Sequence, residues 1–141
     1  MAPNINPIFT GTPSISFSSA SINTANNTAD ITSGSIYPVF TAGSNGSFVR
    51  EVRIKAQPAT STIATVARLW INNGGSTGNS SNSSLFAELG LPATTTSSNS
   101  ALPDFSIPVN VALPSSYQLI LTIGTSAGSG AFDACAIGGD Y

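Results

Sequence analysis

The chain has 141 residues, a formal net charge of −2 and 7% charged side chains, against roughly 25% in an average soluble domain; 23 Ser and 15 Thr stand where charges usually do. It has no His and one Cys, Cys135, which excludes imidazole acid–base chemistry, Ser-His-Asp and Cys-His nucleophile systems, His-ligated metals and internal disulfides. Its only cations, Arg50, Arg53, Lys55 and Arg68, cannot supply the dense basic patch of a nucleic-acid binder.

The length suits one domain, and 40% apolar residues suffice for one core. No apolar run approaches the roughly 18 residues of a membrane span. The opening MAPNINPIFTGTP lacks the charged and apolar regions of a signal peptide, so synthesis in a cytoplasm is expected. In residues 1–13, Pro3, Pro7 and Pro13 remove backbone donors and favour extended geometry. An extended N-terminal arm is predicted there, with Ile5, Ile8 and Phe9 as apolar anchors. Residues 14–141 are predicted to form the remaining β-sandwich domain.

Within it, Ile15-Ser-Phe17 opens an alternating run reaching towards Ile22, and Tyr37–Thr41 is a short strand that Pro38 places at a sheet edge. Asn45-Gly46 marks a tight turn. In the strand Ser47–Gln57, Phe48, Val52, Ile54 and Ala56 are assigned to one face and Val49, Glu51, Arg53 and Lys55 to the other, with Arg50 breaking the pattern. Ile63–Asn72 follows, with Ala67, Leu69 and Ile71 opposite Val66, Arg68 and Trp70. Asn72–Ser84 and Ala93–Pro103 are hydroxyl-rich loops. Between them Leu85–Leu91 is short and apolar, and Ser84–Leu89 has the alternative of one helical turn. Phe105–Leu113, Tyr117–Ile123 and Ala131–Ile137 complete about eight strands. Their spacing predicts an all-β fold, an antiparallel sandwich or barrel; eight strands with a few long connections suit a single β-sandwich of jelly-roll type, whereas seven would suit an immunoglobulin-like sandwich, whose Cys…Trp…Cys signature is absent.

Few residues offer chemistry. The carboxylates Asp30, Glu51, Glu88, Asp104, Asp133 and Asp140 show no local motif for a catalytic pair. Gly74-Gly75 and Gly124–Gly130 lack the lysine and helix of a phosphate loop. Cys135, between Ala134 and Ala136, reads as a small hydrophobe. No metal, cofactor or catalytic residue is assigned, and a hydrolase built on Glu51 or Glu88 is the least favoured class. Arg68 and Trp70 share the face opposite Leu69. They are either interface anchors or residues of a central strand covered by a loop such as 73–84. Glu51, Arg53 and Lys55 form either a solvated face or a subunit contact. A surface of hydroxyls and amides is desolvated at lower cost than a charged one, which favours a protein packed against others over one that transforms small molecules.

The segments Asn6-Pro7-Ile8-Phe9-Thr10, Val39–Ser47, Val52–Ala56, Arg68–Asn72, Leu113–Tyr117 and Ala136–Tyr141 occur in that order across the chain. Together they resemble a family of small virion proteins of tailed bacteriophages that decorate, or cement, the head. The resemblance implies a jelly roll assembling as homotrimers on the outer capsid, made in the bacterial cytoplasm. Its partner would be the major capsid protein, whose neighbouring subunits it would bridge without nucleic acid, membrane, cofactor or small-molecule substrate. The expected interface comprises Ile5, Ile8, Phe9, Tyr37, Arg53, Lys55, Arg68 and Trp70. The alternative is a phage tail or tail-fibre module that binds a carbohydrate or receptor, with Trp70, Tyr37 and Tyr117 as stacking surfaces.

Overall fold

Alternating apolar and polar residues give most strands one face to bury, and the turn-rich segments between them reverse the chain. The computed structural model describes residues 10–26, 30–32 and 34–141. Among these it forms β1 (Thr12–Phe17), β2 (Tyr37–Thr41), β3 (Ser47–Ala56), β4 (Thr65–Asn72), β5 (Ser83–Leu91), β6 (Asp104–Leu113), β7 (Gln118–Ile123) and β8 (Phe132–Asp140). All pairings are antiparallel. Sheet A has the order β1-β8-β3-β6 and sheet B the order β2-β7-β4-β5. First pairs with last, second with seventh, third with sixth and fourth with fifth. The chain is thus one long hairpin rolled over itself, which is the jelly roll.

The core lies between the sheets. Val49, Val52 and Ile54 of β3, Leu69 of β4, Leu119, Leu121 and Ile123 of β7 and Phe132 of β8 are each at most 1% exposed. Each such side chain contributes about 1.5–3 kcal/mol on burial. Pro13, Pro38 and Pro108 all lie on edge strands, β1, β2 and β6, where a missing donor leaves the ladder intact.

Three expectations change and one open alternative closes. Thr12 and Pro13 pair with Asp140 and Gly139, so the boundary at residue 13 falls inside β1, and the first strand stops at Phe17. Ile22 makes only an isolated bridge to Phe132. Ser84–Leu89 is strand, part of β5, because it finds a ladder partner in β4. Finally, Val49 is buried while Phe48 is only partly so, the reverse of the face assignment. The register of β3 against both neighbours shifts between Val49 and Glu51. Against β8 the extra residue is Arg50, the break in the alternation, and it reverses the phase of the pleat along β3; against β6 the extra residue lies on β6, between Pro108 and Val111. On β6 opposite, Asn110 takes φ +50°, a left-handed conformation that Asn tolerates.

The sandwich is asymmetric. On the outer side of sheet B, Trp70 and Ile120 are buried beneath Ile31, with Ile36 packed alongside. Ile31 and Ile36, from between β1 and β2, therefore cover that part of the face.

Candidate interaction face

Strand register assembles the outer face of sheet A row by row. Ile15, Ile137, Glu51 and Pro108 lie side by side across β1, β8, β3 and β6. In the next row stand Phe17, Cys135, Arg53 and Ser106, and beyond it Asp133, Lys55 and Asp104. One half of the face is therefore apolar and the other charged. Ile15 and Phe17 are 61% and 72% exposed, the largest values among the large hydrophobics of the described residues. Phe17, Ile15, Ile137, Cys135, Arg53, Lys55, Asp104 and Asp133 line a shallow groove of about 800 Å³.

Its charges neutralise one another. Asp104 bridges Arg53 (3.2 Å) and Lys55 (3.3 Å), and Asp133 accepts from Gln57 Nε2 at 2.8 Å. Glu51 accepts from Arg50 at 2.6 Å and from the Ser106 hydroxyl at 2.8 Å. These two hydrogen bonds, the Arg50 one foremost, hold its carboxyl below the ordinary value of 4.5, against a small opposing effect of desolvation. Exposed pairs of this kind contribute little to stability, but they fix the long side chains in one array. Among the described residues, no three metal-ligating side chains gather at one place. Among the described residues no helix is long and apolar enough to cross a membrane.

The residues singled out in the sequence do not form one surface. Arg53 and Lys55 lie on the outer face of sheet A, whereas Arg68 and Trp70 lie on the outer side of sheet B. Trp70 is 5% exposed, with its indole N–H donating to Thr122 Oγ1 at 3.0 Å. It is therefore the covered residue of a central strand and not an interface anchor. Its cover is Ile31 and Ile36, not loop 73–84. Arg68 is largely shielded and pairs with Glu88 at 2.8 Å. Tyr37 is also 5% exposed. Its hydroxyl accepts from the N–H groups of Thr24 (3.0 Å) and Asn23 (3.3 Å) and donates to the Thr24 carbonyl. It pins the segment after β1 and offers no surface to a ligand. Ile5, Ile8 and Phe9 lie outside the described residues.

Comparisons with protein-family models, curated proteins and solved structures find no match.

Sequence reasoning missed Ile15 and Phe17 as surface residues. Alternation shows that they share a face, but not that Ser14 and Ser16 take the inward one. No local signal distinguishes the two arrangements, because both keep a period of two.

Proposed function

We propose that this chain is a structural virion protein, a capsid decoration protein that docks through the outer face of sheet A and stabilises the shell by bridging neighbouring major capsid subunits. The observation that supports this most directly is that face, where an apolar half around Ile15, Phe17 and Ile137 adjoins a locked array of charges. Exposed contiguous apolar surface rimmed by polar groups is the signature of a docking site. The fold enters by analogy only, since jelly rolls serve viral capsids and lectins alike. The low charge density fits a surface that stays covered by protein. In this role many copies act together, so a modest contact per copy suffices. The alternative, a glycan-binding tail module, is weakened because Trp70 and Tyr37, two of its three stacking surfaces, are buried.

The test is co-sedimentation of the purified protein with expanded, undecorated capsids assembled from the major capsid protein encoded in the same genome. Saturable binding, with a higher temperature for shell rupture, is expected. Protein that stays in the supernatant at every concentration, or that binds a glycan array instead, overturns the reading.

A further inference from the structure

We infer that two copies of this chain pair through β1, edge to edge and antiparallel, across a two-fold axis at Ser16. Among the described residues β1 has a partner, β8, on one side only. The Ser18 N–H donates to the Ala134 carbonyl at 2.9 Å, and the register sets residue 17 against 135. Even-numbered residues of β1 therefore turn their backbone groups to β8, and odd-numbered ones turn them to the open side. Pro13 stands at an outward position, where it has no donor to lose. Ile15 and Phe17 are the next two, and each presents a free-facing N–H and C=O.

Apart from Pro13, this edge lacks the devices that keep strands apart. The sequence Thr-Pro-Ser-Ile-Ser-Phe carries no charge, and its register with β8 has no bulge. Its outward-facing strand positions also bear the two most exposed large hydrophobics, Ile15 and Phe17. A two-fold axis normal to the sheet must match outer face to outer face, so it passes through a residue and not between two. Placed at Ser16, it sets Ile15 opposite Phe17 of the second copy, and Phe17 opposite Ile15. Each of these pairs exchanges two main-chain hydrogen bonds and lays an aliphatic side chain against an aromatic one. Every outward donor and acceptor at both positions is then used. Placed at Ile15, the axis would set Phe17 opposite Pro13, and the Phe17 carbonyl would face a residue with no N–H.

The result is a continuous eight-stranded sheet built from the two copies of sheet A. The contact is isologous and closes at two copies, unlike the three-fold ring that the phage resemblance implies. It is also small for a protein interface, so the dimer is reversible and dissociates on dilution. The inference stands independently of the proposed function, because it needs no capsid.

Sedimentation equilibrium of the full chain tests it. The mass is expected to rise with concentration from one chain of 14.2 kDa to two. Phe17→Lys is expected to hold it at one chain without moving the unfolding midpoint, since the side chain is 72% exposed. A cross-linking arm fixes the register and works even if that variant folds poorly. In a Cys135→Ser background, Ser16→Cys is expected to give a covalent dimer on mild oxidation, because non-hydrogen-bonded partners lie about 4.5 Å apart at Cα. Ile15→Cys in the same background is expected to cross-link far more slowly. A monomer at all concentrations, a trimer, a dimer indifferent to Phe17→Lys, or faster cross-linking through Ile15→Cys would each overturn the inference.

Discussion

Trp70 and Thr122 are 52 residues apart in sequence, yet the indole N–H and the threonine hydroxyl meet in a buried site. Trp70→Phe keeps a ring under Ile31 but strips the hydroxyl of its donor. A loss of about 1–3 kcal/mol in urea unfolding followed by circular dichroism is expected. Because Trp70 is the single tryptophan, native emission should be blue-shifted and move to the red on unfolding. Glu51 gives a different prediction. Its carboxyl is held low in the folded chain and returns to the ordinary value on unfolding. The stabilisation is therefore present above about 4.5 and is lost as pH falls through the folded value. The thermal midpoint of the natural chain should fall more steeply below pH 4.5 than that of Glu51→Gln, by a small margin because the group is exposed.

At the level of elements, the bulge in β3 has consequences on both sides. It puts both Val49 and Val52 in the core on either side of Arg50, and at that point Gly138 of β8 stands opposite Val49. A Cβ placed on Gly138 would collide with the carbonyl of Phe48 and crowd the Cα of Val49. These are main-chain atoms that cannot swing aside. Gly138→Ala should therefore destabilise the fold by about 1–3 kcal/mol in urea titration. Gly90, where a Cβ would meet only open space, serves as the control, and its Ala variant should change stability by less than about 0.5 kcal/mol. Strand positions were largely legible because turn residues and alternation mark them: Tyr37–Thr41 was read in full, and β3 and β6 to within one residue. β5 was less so, since its hydroxyl-rich first residues look like the loop before it.

For the whole molecule, the decisive contrast is between two outer faces. Sheet B is covered in part by the chain's own Ile31 and Ile36, while sheet A leaves Ile15 and Phe17 to solvent. If the outer face of sheet A docks on a capsid, Arg53→Glu should weaken retention on capsids roughly tenfold by breaking the Arg53–Asp104–Lys55 array. The same substitution should leave the β1-mediated dimer mass unchanged, because Arg53 lies two strands in from that edge. Co-sedimentation and sedimentation equilibrium on one variant thus separate docking from self-pairing.

The sequence by itself determined the class of fold, the approximate strands and the absence of imidazole chemistry, since these follow from composition and from a period readable within a few residues. Only the tertiary structure decided which face of each strand is covered. Sidedness depends on partners far along the chain, as when Ile15 lies beside Ile137, and one inserted residue at Arg50 reverses it. The same long-range pairing buried Trp70, on the outer side of sheet B, beneath Ile31, nearly forty residues upstream, and among the described residues gave β1 a partner on one side only. A period of two fixes relative orientation along a strand, but the environment on either side is set by what the rest of the chain packs there.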